Sequence, residues 1–393
     1  MCWKKRCPII LKLYAFIRIS PYIRQKEIEG SSPPGIFIGR LNYPHVNVGP
    51  LVPPMIGDTS FFDYPEQWKH FTLDEIINFR ISLIRGKVRM HVRDATKQTK
   101  IVEIVQELAM SKYPVDTYVG FKKKPYGILL DGEVQPIGPA APIHEVEVDN
   151  VKTDHLIERV SNDEDLKALE AVKILFNKNM PISKIIRAMS AGLFGLSNER
   201  KFVPTRWSIT AVDSMLSRYL RDEIIKQCPV IPEYRVYEST FLGDKFLVIM
   251  FPDKWSYEFI EAWFPGTAWN LDTETIAIGG DWELYWGRSN YAKIGGCYYA
   301  ARLAVAEHLS KIKKQATVLI LREAYPEHIM PLGVWHVREG VRSALETKPI
   351  IFEDIKDVFK HISKRMKISL SLWFEVSSLL KHILQQTKLP DFF

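Results

Sequence analysis

Apolar residues recur three and four positions apart along several stretches of the chain, which is the spacing of one face of an α-helix. The clearest stretch is 205–227, where Ile209, Val212 and Leu216 fall on the same side. The same spacing recurs over 355–383, among many basic residues. We therefore predict a long amphipathic helix in the middle of the chain and a helical, basic region towards its C-terminal end.

Other stretches are apolar without a helical period and are short enough for strands. Residues 245–251 and 317–321 are mainly apolar runs with the length of a buried strand. Shorter strands are expected around 118–121 and 128–130, on either side of a lysine-rich loop. Residues 26–70 are dense in proline and glycine, which favours short strands joined by fixed turns.

Two Ser/Thr-x-x-Glu patterns mark predicted helix starts. In this capping box the hydroxyl accepts a hydrogen bond from the backbone N–H three residues on, and the glutamate accepts one from the first backbone N–H. Thr72 with Glu75 opens one predicted helix, and Ser161 with Glu164 opens another. A further helix is expected after the polar residues 97–100.

The order of these elements limits the possible fold classes. Helices and strands alternate without a regular βαβ period or an internal repeat, so we predict a mixed α/β (α+β) globular body with a helical C-terminal extension. A hydrophobic content of 46% is enough for a large core. The predicted organisation is an N-terminal segment at 1–24, a core at 25–345, a helical basic region at 346–385 and a terminal peptide at 386–393.

Composition narrows the class of protein only modestly. A net charge of +7 and a pI near 9.0 favour a polyanionic partner. The four cysteines are too few and too scattered for a disulfide framework, which indicates a cytoplasmic protein. The start of the chain imitates a signal peptide, but Lys12 and Arg18 interrupt its apolar stretch. No window is long and apolar enough for a membrane span.

One group of acidic residues is a candidate for hydrolytic chemistry. Strand alternation would place Glu145, Glu147 and Asp149 on one face. Carboxylates hold the metal ions that are used in phosphodiester cleavage. A solvated strand face explains the same pattern more simply, and we favour that interpretation.

Two shorter acidic pairs lie among tryptophan residues. They are Asp272 with Glu274 and Asp281 with Glu283. They are alternatives to the first acidic group as ligands of a metal ion. We interpret them as residues of turns and strand edges.

No nucleotide cofactor or metal site is recognisable. His328 and His336 lie eight positions apart and fit no helical metal-binding motif. Cys297 follows two glycines at a predicted helix start, where a helix N-terminus would lower the pKa of its thiol. Without a histidine partner, a small buried cysteine is the simpler interpretation. The glycine pairs match no phosphate-binding loop.

Three groups of basic residues are candidates for nonspecific, salt-sensitive contact with DNA phosphates. Arg206 stands beside Trp207, a pairing that suits a cleft for a phosphate or a base, and equally a structural ion pair. The candidate residues are Lys122, Lys123, Lys124, Arg206, Lys364, Arg365 and Lys367.

The last eight residues form the most specific motif of the chain. Gln386, Leu389, Phe392 and Phe393 spell Q-x-x-L-x-x-F-F. One helical turn brings Leu389 and Phe392 to the same side, and Phe393 fans out beside them. The pattern resembles the PIP box, the peptide by which replication and repair proteins bind the DNA sliding clamp PCNA. The three apolar residues would fill the pocket of the clamp, with Gln386 hydrogen-bonded at its rim.

Four long strings of residues carry a wider resemblance. They are Ser32-Pro-Pro-Gly-Ile-Phe-Ile-Gly-Arg40 with Val46-Asn-Val-Gly-Pro50, Val203-Pro-Thr-Arg-Trp-Ser-Ile-Thr-Ala-Val-Asp213, Tyr298-Tyr-Ala-Ala-Arg-Leu-Ala304, and Pro331-Leu-Gly-Val-Trp335 with Val337-Arg-Glu339. With the terminal motif, they make the chain resemble the archaeal Nre family of DNA repair proteins, of the NreA type, over nearly its whole length. The resemblance implies a part in DNA-damage repair together with PCNA. It implies no particular reaction.

The N-terminus departs from the pattern of that family. Many members begin with a cysteine cluster that looks like a small zinc site and ends in Cys-Pro-Ile. Here Cys7 matches the end of that cluster and Cys2 its penultimate position. Two cysteines cannot complete a tetrahedral zinc site alone, so we expect no zinc and no other cofactor. A start upstream of Met1 is an attractive alternative explanation.

Three hypotheses of function stay open. The first is a DNA repair factor recruited by the sliding clamp, with DNA as a further partner and with nucleoid association during repair. The second is a metal-dependent nuclease or another hydrolase acting on nucleic acid. The third is an interaction protein of RNA or nucleotide metabolism whose tail packs on its own core. Because no catalytic motif is recognisable, a non-enzymatic factor is slightly favoured.

Overall fold

The computed structural model describes residues 6–127, 135–270 and 274–386. The chain divides into two units, Arg6–Leu216 and Ser217–Phe393, which we call the N-terminal and C-terminal units. The division falls inside the helix Thr205–Tyr219 and inside the region 25–345 that the sequence presents as one core. Each unit is built on a six-stranded sheet of its own.

The sheet of the N-terminal unit is mostly antiparallel. Its strand order is β1-β5-β6-β4-β3-β2, and β4 and β6 form its parallel pair. The strands are β1 (Glu27–Ser32), β2 (Ile36–Ile38), β3 (His45–Val52), β4 (Ile84–His91), β5 (Val115–Phe121) and β6 (Ala140–Val148). The short first strands with their turns agree with the dense proline and glycine of this region.

Helices cover this sheet with apolar faces. In one of them, α3, the buried residues Val102, Val105 and Leu108 follow the helical period that the sequence predicts. The α-helices of the unit are α1 (Pro8–Ile23), α2 (Leu73–Ser82), α3 (Lys100–Met110), α4 (His155–Ser161), α5 (Ala168–Asn177) and α6 (Ile182–Ser190). Short 3₁₀ turns lie at Ser60–Asp63, Pro65–His70, Val92–Thr96 and Ser197–Glu199.

One of the two predicted capping boxes is present. The backbone N–H of Thr72 donates to Oε2 of Glu75 at 2.7 Å, and the N–H of Glu75 donates to the Thr72 hydroxyl at 3.4 Å. The prediction at Ser161 is wrong, because Ser161 is the last residue of α4. Its hydroxyl donates to the carbonyl oxygen of Glu158 at 2.8 Å, so it binds backwards along the helix that ends there.

The predicted helix 205–227 is present, but only its first part is α-helical. Helix α7 (Thr205–Tyr219) continues into a π-helical turn at Leu220–Ile224 and a 3₁₀ turn at Ile225–Gln227. A π turn inserts an extra residue into a helix and is frequent at functional sites. Here it carries Arg221, whose side chain is buried.

The C-terminal unit has a second mixed sheet, in the order β10-β9-β11-β8-β7-β12. Its strands are β7 (Tyr234–Phe241), β8 (Asp244–Phe251), β9 (Ser256–Trp263), β10 (Ala277–Glu283), β11 (Thr317–Ala324) and β12 (Ile350–Phe352). Strands β9 and β11 run parallel, and the other pairs are antiparallel. The strands predicted at 245–251 and 317–321 are therefore confirmed, and both are central.

Helices lie on both faces of this second sheet, which is why β8 is apolar on both sides. Leu247 packs with Val358 and Ile362 on one face, and Phe246 lies against Gly340 on the other. The helices are α8 (Gly296–Ile312), α9 (Val334–Leu345), α10 (Ile355–Arg365), α11 (Leu370–Val376) and α12 (Ser378–Gln386). One hydrophobic core cluster of the unit lies between the sheet and α10–α12.

The predicted mixed α/β class, with helices towards the C-terminus, is confirmed. The strand predicted around 118–121 is the second half of β5. The strand predicted at 128–130 lies outside the described residues. Among the helices of the described part of the chain, none has the length and apolar character that crossing a membrane requires.

Candidate functional site

The segment between β10 and α8 presents large aromatic side chains to solvent. Trp286 is 86% exposed, Tyr291 is 64% exposed and Trp282, on β10, is 36% exposed. Large aromatic groups are usually buried, so three on one short stretch of surface indicate a binding surface. We call Trp282, Trp286 and Tyr291, with Lys226 and Arg288, the aromatic surface.

Cations lie among these rings. Nζ of Lys226 is 4.6 Å from the ring centroid of Tyr285 and 5.9 Å from that of Trp286. The guanidinium carbon of Arg288 lies 4.8 Å from the ring centroid of Tyr298. Cations at such distances are attracted to the ring faces. Aromatic faces interleaved with cations can stack on unpaired bases and contact the adjoining phosphates.

Asp281 fixes the path of the segment. Its Oδ2 accepts a 2.8 Å hydrogen bond from Nη2 of Arg288 and a 2.7 Å hydrogen bond from the backbone N–H of Lys293. Burial alone would raise the pKa of Asp281, but the hydrogen bonds from Arg288, Lys293 and Trp282 together outweigh it and the pKa is lowered. Arg288 also donates to the carbonyl oxygen of Asn290 at 2.7 Å. The Asp281 carboxylate therefore links β10 to Arg288 and to Lys293 of the following segment.

Glu283, at the end of β10, anchors the same segment from inside. Its Oε1 accepts hydrogen bonds from Nη1 of Arg221 at 3.0 Å and from the indole of Trp255 at 3.2 Å, and its Oε2 accepts one from Nη1 of Arg302 at 2.6 Å. Burial opposes ionisation, but the guanidinium groups of Arg302 and Arg221 prevail and lower the pKa of Glu283. The carboxylate is thus charged, paired and rigidly placed.

Gly287, directly after Trp286, is required by this packing. Its φ of +81° lies in the left-handed region, and a Cβ there would lie 2.2 Å from Nη1 of Arg221. Only glycine tolerates both the dihedral angle and the close approach. The exposed Trp286 therefore stands on a turn that the buried arginine constrains.

A second polar centre of the C-terminal unit is completely buried. Nδ1 of His328 lies 2.9 Å from Oδ1 of Asp244, and Nε2 of His336 lies 2.9 Å from Oδ2. We call these three residues the aspartate–histidine cluster. Arg322 donates through Nε to Oδ2 of Asp244 at 2.7 Å and through Nη1 to Oε2 of Glu261 at 2.7 Å. The cluster is thus embedded in a network of charged groups.

Comparison with known proteins places the chain in a family. Residues 1–270 match the family profile described as archaeal Nre, N-terminal, and residues 283–392 match the profile described as archaeal Nre, C-terminal. The chain belongs to the archaeal Nre family. Residues 271–282 separate the two matched regions, whereas the structural units of this Nre chain divide at Leu216.

Three curated relatives of this Nre chain align over nearly its whole length. One is the DNA repair protein NreB of Archaeoglobus fulgidus, 39% identical, with 98% of this chain and 96% of the relative aligned. The second is the DNA repair protein NreA of the same organism, at 34% identity and coverages of 93% and 92%. The third is the DNA repair protein NreA of Haloferax volcanii, at 32% identity and coverages of 90% and 86%. No solved structure matches the chain.

The basic residues predicted to contact DNA belong to both units. Lys122, Lys123 and Lys124 are exposed directly after β5, near Tyr126, which is also exposed. They form an open basic loop of the N-terminal unit. The aromatic surface belongs to the C-terminal unit, and the sequence did not identify it.

The basic residues near the C-terminal end already have intramolecular neighbours. Nε of Arg365 donates to Oε2 of Glu238 at 2.7 Å, and Nζ of Lys367 lies 4.3 Å from the ring centroid of Tyr325. Both side chains, and that of Lys364, are exposed at the end of α10 or just after it. Contacts of this kind at the surface are weak and leave the positive charge available.

Arg206 and Trp207 lie in the first turn of α7, and both are exposed. The ring of Trp207 packs against that of Tyr43, with centroids 5.0 Å apart. The N-terminal unit therefore has an exposed aromatic pair beside an arginine. This is the arrangement that the Arg-Trp pair in the sequence indicates for contact with a base or a phosphate.

A cavity of about 750 Å³ opens elsewhere in the N-terminal unit. Nζ of its Lys184 lies 3.6 Å from Oδ2 of Asp154, and burial lowers the pKa of Lys184. The charges of the lining balance, since three cationic and three acidic residues contribute, so no net charge favours an anion. The charged residues are Asp58, Lys112, Asp116, Asp154, Lys184 and Arg187.

The acidic candidates do not assemble into a catalytic centre in the part of the chain that the structure describes. Glu145 and Glu147 are exposed on β6, and Asp149 is exposed just after it. Asp281 and Glu283 lie on β10, an edge strand, and both bind arginine. Asp272 lies outside the described residues, and Glu274 follows that gap.

The two cysteine hypotheses have different outcomes. Cys297 is in the first turn of α8, but its pKa is raised to about 12, chiefly by burial and then by Glu261, although the residue as a whole is only half-buried. Burial thus outweighs the helix N-terminus, which alone would lower the pKa. Cys7 is a free cysteine immediately before α1, and Cys2 lies outside the described residues.

The clamp-binding motif stays a prediction. The backbone of Gln386 ends α12, whereas its side chain and the whole of Leu389, Phe392 and Phe393 lie outside what the structure describes. The sequence therefore remains the basis for this motif.

Proposed function

We propose that this chain is a DNA repair factor that is recruited to DNA by the sliding clamp PCNA. The observation that carries the repair role is the alignment of at least 90% of the chain with three relatives that are named DNA repair proteins. The NreA type stays a prediction, since relatives of both names align. We propose that the protein acts in the cytoplasm and is associated with the nucleoid during repair.

Recruitment is assigned to residues 386–393. Their Q-x-x-L-x-x-F-F pattern provides one hydrogen-bonding and three apolar groups at the spacing of a helical turn. Burial of one leucine and two phenylalanines is worth roughly 5–8 kcal/mol before the costs of ordering the peptide. The expected affinity is therefore micromolar. A tether of this strength raises the local concentration of the attached units at the clamp.

Contact with unpaired DNA bases is assigned to the aromatic surface. Trp286 and Tyr291 are exposed aromatic side chains, Nζ of Lys226 lies 5.9 Å from the ring centroid of Trp286, and Arg288 belongs to the same segment. The two cations also pair with Asp222 and Asp281 respectively. Because every base has a π face, such a surface binds single strands with little sequence preference. The net charge of +7 favours the phosphate backbone in the same way. Unpaired bases are common to damaged and branched DNA, which suits a repair factor.

No observation favours either alternative over this proposal. The hydrolase hypothesis relied on Glu145, Glu147 and Asp149, which lie in solvent. The hypothesis of a tail packed on its own core predicts that residues 386–393 resist proteases and that their deletion lowers stability. Limited proteolysis of the full chain therefore distinguishes it from the tether.

Calorimetric titration of the sliding clamp from the same organism into the full chain tests the recruitment. We expect micromolar binding that disappears in a Phe392→Ala/Phe393→Ala variant. The matched control is Thr387→Ala, which changes the same peptide outside the motif and should bind normally. Absence of binding by the unaltered chain, or equal binding by the double variant, would refute recruitment through this peptide.

A further inference from the structure

Both imidazoles of the aspartate–histidine cluster lack hydrogen bonds. His328 is 3% exposed and His336 is 1% exposed, yet neither ring nitrogen of either residue has a hydrogen-bond partner among the described residues. The 2.9 Å contacts with Asp244 are short, but their alignment does not suit an N–H···O bond. Buried polar atoms are normally satisfied, so these call for an explanation.

The ligand atoms converge on one point. One nitrogen from each histidine and one carboxylate oxygen of Asp244 all lie within 4.8 Å of one another. Ligand atoms of a tetrahedral zinc ion lie at about 2.0–2.2 Å from the metal and therefore about 3.5 Å from one another. The spacing of the three atoms is close to this value. Among the described residues, this is the one group of histidine, cysteine and acidic side chains with such spacing.

The donor atoms also suit a cation. Two imidazole nitrogens and one carboxylate oxygen offer lone pairs, and all three side chains are buried.

Arg322 has the position of a supporting group. It donates to Asp244 and to Glu261 at once, which fixes the orientation of the aspartate carboxylate. Groups of this kind hold the ligands of metal ions in productive orientations. The rings of Trp263 and Phe241 surround the histidines, with centroids 5.2 Å from those of His328 and His336 respectively, and complete an apolar shell.

We propose that Asp244, His328 and His336 bind one divalent transition-metal ion. Two imidazoles and one carboxylate form a ligand set typical of Zn²⁺, whereas Mg²⁺ and Ca²⁺ prefer oxygen ligands alone. The site goes beyond the proposed recruitment and repair function and does not depend on it.

The ion would join three separate segments of the chain. Asp244 begins β8 after a tight turn, His328 lies in the loop after β11, and His336 lies in the first turn of α9. The turn and the loop approach so closely that a Cβ on Gly243 would lie 2.5 Å from the backbone nitrogen of His328. Because its ligands come from separate segments, the ion would crosslink the C-terminal unit.

Metal analysis of the full chain tests the site. The protein is expressed as a Cys2→Ser/Cys7→Ser variant, so that zinc on the N-terminal cysteines cannot contribute, and its metal content is measured by plasma mass spectrometry. We expect about one equivalent of zinc per chain, lost in Asp244→Asn and His336→Gln. His308→Gln is the matched control, because His308 is half-buried and hydrogen-bonded to Tyr237 outside the cluster, and it should retain the ion.

A second measurement guards against variants that fail to fold. The Cys2→Ser/Cys7→Ser protein is stripped with a chelator and titrated with Co²⁺ and Zn²⁺. We expect visible absorption bands of tetrahedral cobalt and a rise in Tm that saturates at one equivalent of either ion. A stripped protein whose Tm and spectrum do not respond would overturn the proposal. So would metal that the Asp244→Asn and His336→Gln variants retain in full.

Discussion

Nη1 of Arg302 lies 2.6 Å from Oε2 of Glu283, and both side chains are buried. Arg221 holds the other oxygen of the same carboxylate. Replacing Glu283 by alanine would leave two buried guanidinium groups without this partner, so we expect the free energy of unfolding to fall by about 3–5 kcal/mol. Urea denaturation of the full chain measures the change.

The control is an exposed ion pair of the same unit. Arg365 binds Glu238 at the surface, and the side chain of Arg365 is 46% exposed. Glu238→Ala should therefore cost about 1 kcal/mol or less. Equal losses in the two variants would contradict the anchoring role of Glu283.

Trp286→Ala should weaken binding of single-stranded DNA. Loss of one stacked base costs about 1–3 kcal/mol, and fluorescence anisotropy with a labelled oligothymidine measures it. Trp286 is 86% exposed, so the unfolding midpoint should not change. The control is Trp269→Ala, because Trp269 is 57% exposed at the opposite end of the β9–β10 hairpin. If both variants bind DNA as tightly as the unaltered chain, the aromatic surface is not the contact.

Gly287→Ala should destabilise the chain through strain. The residue has φ +81°, and its new Cβ would collide with the Arg221 guanidinium. A non-glycine residue in such a conformation costs about 1–3 kcal/mol, which thermal or urea unfolding detects. Gly279→Ala on β10 is the matched control, since nothing lies within 4 Å of its added Cβ. A Gly287→Ala protein as stable as the control would show that the turn is not constrained.

Stability should fall as the pH is lowered from about 6.5 towards 4. The pKa of His308 is lowered from 6.5 to about 4, chiefly by burial and then by the nearby Arg235 and Lys311. In this window the unfolded chain binds protons that the folded chain does not. The stability is therefore present above the unfolded pKa and is lost on acidification.

Urea denaturation at several pH values between 4 and 7.5 measures this slope. Each unit of pKa difference is worth about 1.4 kcal/mol. His308→Gln removes the contributing group and should flatten the profile. A profile that His308→Gln leaves unaltered would mean that His308 titrates normally in the folded chain.

Local sequence patterns predicted local structure well. The Thr72–Glu75 capping box is complete within four residues, so no distant contact was needed to interpret it. The apolar runs of β8 and β11 are strands because both faces of their sheet are covered. The same logic failed at Ser161, where the hydroxyl had a local alternative in the carbonyl oxygen of Glu158.

The candidate sites depend on distant contacts, which single motifs do not reveal. Asp244 meets His328 and His336 only because a hairpin turn packs against a loop that comes much later in the chain. The sequence offered one weak signal: His328 and His336 lie eight positions apart, but they fit no helical metal-binding motif. Likewise, the sequence analysis weighed Asp281 and Glu283 as metal ligands and favoured residues of turns and strand edges, but it could not show that arginines of other segments bind them. The nearby Trp282 and Trp286 were a signal from which the aromatic surface could have been predicted.

The π-helical turn at Leu220–Ile224 changes the direction in which the side chains after it point from the helix axis. Residues before it keep the angular positions of α7, and residues after it are displaced by the one inserted residue. Deleting a residue there would restore the α-helical period and rotate all that follows by about 100°. Arg221 would then swing away from Glu283, and a single-residue deletion in one helix would release the turn on which Trp286 stands.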